Sequence, residues 1–187
     1  MRGARERTID VAILDDVLGD EIVGTIETRA RRARREPRDW IGDRGKGIGV
    51  AWAGTGQTGI LVEGWGIAVD AVVADFIAGA AERLVLEAAR EAELVLVEGQ
   101  GSIIHPGYSG VTYGLMHGSL PHAMVMCTQP TRTTIRNNPW LPIPPLAELV
   151  RLHESVVAPL RPAPVIAIAP NTFDLSDEEA RAAIARA

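Results

Sequence analysis

Cysteine is nearly absent from this sequence of 187 residues: Cys127 stands alone, so no internal disulfide can form. That fits a reducing compartment. Aromatic residues make up only 4% of the chain. Ala, Val and Gly are plentiful instead, so helices and sheet are expected to pack closely. No apolar run approaches the roughly 20 residues that span a bilayer. The charged N-terminus lacks the apolar core of a signal peptide. An excess of basic charge is missing too. The formal net charge is −5, and nothing suggests the basic face that a nucleic acid requires. These absences set aside a disulfide scaffold, a membrane span and a nucleic-acid binder. The expectation is a soluble cytoplasmic protein that handles a small molecule, with neither nucleic acid nor membrane as partner. The length allows one domain with a real core, and a hydrophobic content of 47% is ordinary for one.

What the chain does have is a strand that ends on a carboxylate. Residues 94–97 are a continuous apolar run, and Glu98-Gly99-Gln100-Gly101-Ser102 follows at once. Such a run bounded by turn residues suits a central strand of a parallel sheet. Ligands bind beyond the carboxyl ends of such strands. Glu98 then stands where chemistry is done, and Gly99 and Gly101 let a ligand approach the backbone.

A second glycine-rich stretch lies upstream. Residues 48–53 read as a strand, followed by Gly54-Thr55-Gly56-Gln57-Thr58-Gly59. Glycines interleaved with threonine and glutamine can present backbone N–H groups and hydroxyls to an anion. An ordinary tight turn has the same composition. The Gly45-Lys46 pair is not a phosphate loop: Trp40 stands where the pattern needs its first glycine, and Gly47 where it needs a hydroxyl.

The remaining signals fall in order. Residues 1–50 carry eleven basic and ten acidic side chains, and Arg29 to Arg35 form a basic run that reads as solvated. A strand is expected near residues 9–14. Residues 69–92 repeat apolar positions at helical spacing. Asp70 near their start is either a cap or a metal ligand. His105 lies in a loop and His117 in a short helix, each a candidate general base, substrate donor or metal ligand. Residues 121–127 form the next strand. Residues 128–145 read as an irregular loop whose Arg132 and Arg136 could hold a carboxylate or phosphate. A helix at 146–160, a strand at 164–169 and a capping box at Ser176–Glu179 complete the chain. Asn171 and Thr172 follow that last strand, where they could read a substrate edge. Alternating strands and helices imply an α/β fold with a parallel sheet and helices on both faces.

Thr55-Gly56-Gln57-Thr58-Gly59, Val69-Asp70, Val97-Glu98-Gly99-Gln100-Gly101-Ser102 and His105-Pro106-Gly107-Tyr108 resemble, in this order, the C-terminal P-loop domain of the D-glutamate N-acetyltransferase family. That family was long carried as a domain of unknown function. The resemblance covers residues 50–180 or so. It implies a P-loop NTPase-like fold similar to dethiobiotin synthetase, and acetyl transfer from acetyl-CoA to an acidic D-amino acid. Mg²⁺-ATP-dependent ligation and a chain without catalysis are the alternatives. By this similarity Glu98 is a metal-associated carboxylate and Asp70 a second ligand. Thr55 to Gly59, Gly99 to Gly101 and Asn171 line the cofactor side. His105, His117 and Ser102 are the catalytic candidates, and Arg132 and Arg136 hold the substrate carboxylate. The family's Lys- and Thr-bearing glycine loop and its N-terminal domain are not readable in residues 1–47. Those residues are therefore expected to be a disordered or out-of-frame segment, and residues 48–187 a P-loop-like domain truncated at both ends. Self-association through exposed apolar edges is also expected.

Overall fold

The computed structural model describes residues 10–16, 50–90 and 92–186. Five strands form one sheet: β1 (Asp10–Asp16), β2 (Val50–Ala53), β3 (Leu94–Glu98), β4 (Ala123–Thr128) and β7 (Val165–Pro170). Their order is β2-β3-β1-β4-β7, and every pairing between them is parallel. The flanking helices are α1 (Gln57–Glu63), α2 (Ile77–Ala88), α3 (Ser109–Ser119), α4 (Leu146–Val157) and α5 (Asp177–Arg186). This is the expected α/β fold, a P-loop NTPase-like arrangement of parallel strands and flanking helices. The strand expected near residues 9–14 is present as β1, between β3 and β4. The Arg29–Arg35 run and the glycine cluster at 42–47 lie outside the described residues.

Strand periodicity places the core. Ala51, Ala53, Val95 and Val97 point to one face. There they meet Ala81, Leu84, Val85 and Ala88 of α2, Leu115 and Met116 of α3, and Val156 and Val157 of α4. Trp52, between the two alanines of β2, is buried as well. Helices α2 and α3 lie backbone to backbone. A Cβ at Gly118 would overlap the carbonyl of Ala78, and one at Gly114 would crowd Ile77. The few aromatics and many small residues of the sequence make that approach possible. Leu120 ends α3 in the left-handed region, at φ 42°, and Pro121 prevents the helix from continuing.

Two expectations need correction. Residues 69–92 are not one helix. Two 3₁₀ turns, Val69–Ala71 and Ala74–Phe76, precede α2. Val72 and Val73 are extended between them, at ψ 140° and 135°. Val73 and Phe76, which supported the helical spacing, are exposed. Residues 128–145 are not an irregular loop throughout. They contain a hairpin of β5 (Thr134–Ile135) and β6 (Asn138–Pro142), turned at Asn137 with φ 60°. Its exposed Trp140 lies between Pro139 and Pro142. Prolines are tolerated in a two-stranded ribbon, where each strand has an edge that needs no N–H donor.

Candidate functional site

Because all five strands run the same way, their carboxyl ends share one rim. The chain winds outward in both directions from β1, which makes β1 the switch point where ligands of such sheets bind. Glu98 ends the neighbouring β3, in register with Leu14.

Glu98 is 3% exposed and organises the loop beyond β2. Its Oε2 accepts the Thr55 N–H at 2.7 Å and the Gly56 N–H at 2.9 Å. The Thr55 hydroxyl donates to the Glu98 carbonyl at 2.9 Å, and Gln100 Nε2 donates to Thr55 Oγ1 at 2.9 Å. Gln100 is held from behind, since Thr112 Oγ1 of α3 donates to its carbonyl at 2.8 Å. Gly59 must lack a side chain, for a Cβ there would overlap the Glu98 carboxylate. Gln57 and Thr58 are left exposed on the outside of the loop.

The second part of the rim is the turn from Ser102 to Tyr108. Gly101 starts it at φ 33°, where a Cβ would meet Tyr108. Ser102 is buried, and its Oγ accepts the Ile104 N–H at 3.3 Å. The His105 ring stacks on Tyr108 with centroids 4.4 Å apart. Its Nδ1 accepts the Gly107 N–H at 3.0 Å. The neutral ring with that bond carries its proton on Nε2. Nε2 faces Asn138 Nδ2 at 3.3 Å, and that nitrogen is itself a donor, already bonded to the Arg136 carbonyl at 3.0 Å. The His105 N–H is thereby left for an oxygen that a ligand brings.

The third part lies beyond β4 and β7. The Asn171 N–H donates to the Thr128 carbonyl at 2.6 Å, and Asn171 Oδ1 accepts the Phe173 N–H at 3.2 Å. Asp174 Oδ2 accepts from Gln129 Nε2 at 2.9 Å and from the Thr131 hydroxyl. The Thr131 hydrogen bond is the main cause that holds the Asp174 carboxyl below its usual range; Gln129 and the Arg132 charge act in the same sense. Arg136 is exposed at the hairpin turn.

The structure therefore gathers Glu98, Thr55, Gly56, Gly59 and Gln100 into one network. It ties His105 to the Arg136 hairpin through Asn138. His117 does not join them. Eight residues along α3 from Ser109, it lies about 12 Å back toward the opposite edge of the sheet. Its Nε2 bonds the Val156 carbonyl of α4 at 3.0 Å. Asp70 is exposed on the first 3₁₀ turn. The two lone pairs of Glu98 Oε2 are directed at N–H groups. Among the described residues no three His, Cys, Asp or Glu side chains converge on a common point. The donors described around Glu98 suit amides and do not fit a resident metal ion.

Thr112, Asn138 and Asp174 were not singled out from the sequence. Asn138 had a signal in Arg136-Asn137-Asn138, an Asn pair of the kind that turns hairpins. Thr112 and Asp174 had none, because their partners lie twelve and more than forty residues away.

A family model described as the DUF1611 C-terminal P-loop domain, a domain of unknown function, matches residues 42–187. A D-glutamate N-acetyltransferase of Tritonibacter scottomollicae is 42% identical over 140 residues, covering 72% of this chain and 40% of that protein. One from a Pseudoalteromonas species is 41% identical over 133 residues, with 71% and 40% covered. The chain thus spans about 40% of the length of these relatives. The crystal structure of a DUF1611 family protein from Anabaena variabilis superposes with a TM-score of 0.82 at 34% identity. That match takes in 96% of this chain and 50% of the other.

Proposed function

The chain belongs to the DUF1611 family, whose P-loop domain it carries, and from that premise we propose that its rim serves acetyl transfer from acetyl-CoA to the amino group of D-glutamate or a similar acidic D-amino acid. The observation that carries the reading is the His105 N–H, which faces no acceptor in Asn138. In this reaction the amine nitrogen forms a bond to the thioester carbonyl carbon and the carbon–sulfur bond breaks. One proton of the ammonium ends on the thiol and another is released to solvent. The carbonyl oxygen becomes an oxyanion on the way, and a fixed N–H aimed at it lowers the barrier. His105 Nε2 supplies that donor, held in place by Gly107 and the Tyr108 ring. Arg136 on the adjoining hairpin receives the substrate carboxylate. It is preferred over Arg132, whose charge already acts on Asp174. Ser102 shapes the turn below them.

The names of the two curated relatives support this reading. The test is thermal unfolding of the chain with acetyl-CoA and, separately, with Mg²⁺-ATP. A ligand at a hundred times its Kd stabilises a protein by about 2.7 kcal/mol, which moves the midpoint by several degrees. A rise with acetyl-CoA is expected. A rise with Mg²⁺-ATP alone would overturn the proposal in favour of nucleotide-dependent ligation. In the acetylation assay His105→Phe should lower kcat by roughly 10²–10³-fold, and unchanged turnover would remove His105 from the site.

A further inference from the structure

We propose that Glu98 is the positioning residue of the rim: an internal anion that takes the Thr55 and Gly56 amides, so that the loop beyond β2 meets a ligand through neutral polar groups and not as a phosphate cradle. Consecutive backbone N–H groups in a glycine-rich turn are a seat for an anion. Here that seat holds the chain's own carboxylate, with N···O distances of 2.7 and 2.9 Å. Three further features fit it to that one occupant. Gly59 yields the volume of a Cβ to the carboxylate. The Thr55 hydroxyl bonds the Glu98 carbonyl, fixing the two residues side by side. Glu98 is buried at 3% exposure, where its charge is weakly screened.

A phosphate brought to the same amides would have to displace a buried carboxylate or lie against it. What the loop offers outward is the Gln57 amide and the Thr58 hydroxyl, both exposed. These are hydrogen-bond partners for an amide- or hydroxyl-bearing part of a ligand. The glycine and threonine pattern of residues 54–59 is then explained without a phosphate. Glu98 acts through the loop, by fixing its shape and by excluding anions from it. The inference stands apart from the acyl-transfer reading, since it concerns which part of any ligand this loop meets.

The test uses the purified chain and its Glu98→Gln and Glu98→Ala variants. Each is unfolded thermally with sodium formate, inorganic phosphate or MgCl₂ at matched ionic strength. Wild-type protein should show no rise in midpoint with any of the three. Glu98→Ala should unfold earlier and recover a large part of the loss with formate, a small carboxylate that refills the vacated seat. Glu98→Gln keeps the shape without the charge. It should melt between the other two, and phosphate should raise its midpoint where the wild type does not respond. A purely structural glutamate would give neither formate rescue nor a gain of phosphate response. Failure of formate to rescue a folded Glu98→Ala would overturn the proposal. So would a phosphate response in the wild type equal to that of Glu98→Gln. A wild-type rise with MgCl₂ that disappears in Glu98→Gln would overturn it in favour of a metal-bound carboxylate. Should Glu98→Ala not fold, the phosphate and MgCl₂ comparison of wild type with Glu98→Gln decides alone.

Discussion

Two carboxylates on the same rim do the same task in opposite surroundings. Glu98, beyond β3, and Asp174, beyond β7, each collect two donors on a single oxygen and so join two loops. Glu98 is buried and its donors are backbone amides, which have no rotamers to lose. Asp174 is exposed and its donors are the side chains of Gln129 and Thr131. The difference teaches which half of the rim is fixed. The β2–β3 half has its geometry set by main chain and burial. The β4–β7 half is held by exposed side chains, whose hydrogen bonds compete with water and cost little to break. A ligand entering the rim therefore meets one rigid wall and one that can adjust.

Substitutions can break this contrast, and the largest effect is expected where the rigid wall is filled. Gly59→Ala forces a methyl group into the Glu98 carboxylate. Overpacking of a buried site costs about 1–3 kcal/mol. With the charge pushed off its amides as well, the upper end of that range is expected in urea unfolding. Loss below about 0.5 kcal/mol, the usual range for an unremarkable surface position, would mean that the wall gives way like its counterpart.

Thr55→Val should come next. It keeps the shape of a residue that is fully buried but removes one donated and one accepted hydrogen bond. About 2 kcal/mol is expected, since the Glu98 carbonyl and the Gln100 amide are left unsatisfied. The same measurement checks it, with Gln100→Ala as the companion that separates the two bonds.

Asp174→Asn should have the smallest effect on stability, and its signature is in the pH dependence. A carboxyl whose folded pKa is depressed adds stability that is present above its unfolded value of about 3.9. That stability is lost as pH falls through the folded value. Asp174 is such a group, mainly through the Thr131 hydrogen bond. Glu179 is another, through Ser176 in the capping box of α5. Wild-type stability should therefore decline in acid below the ordinary carboxylate range. The decline should be shallower in Asp174→Asn, as read from unfolding midpoints across that range. An unchanged acid slope would show that Asp174 is no anchor at all.

The fold was legible where burial and periodicity agree. The apolar runs of β3, β4 and β7 lie fully within a sheet, so they read as strands, and the capping box of α5 is local by nature. Val69 to Phe76 misled because Val73 and Phe76 are apolar and exposed. Their spacing imitates a helix face that buries nothing. The hairpin at 134–142 was hidden by its prolines, which oppose strand formation except on a ribbon with free edges. At the site, the position of Glu98 at a strand end was readable, and so was the polar character of the Thr55–Gly59 loop. That the first satisfies the second was not, because forty-three residues separate Glu98 from Thr55 and no local pattern records the contact. His105 and His117 look alike in sequence. Only the direction of α3, which runs back from the rim, separates them.

The placement of two tryptophans gives the two halves different optical signatures. Trp52 in β2 is 3% exposed and Trp140 in β6 is 70% exposed. A water-soluble collisional quencher such as acrylamide reaches the second and not the first. The emission difference between the wild type and Trp140→Phe isolates the light of the hairpin, which sits beside His105 and carries Arg136 at its turn. Closure of the adjustable wall over a ligand would shield that light from the quencher, while the emission of the sheet stays unchanged. The molecule thus carries its own reporter of which wall has moved.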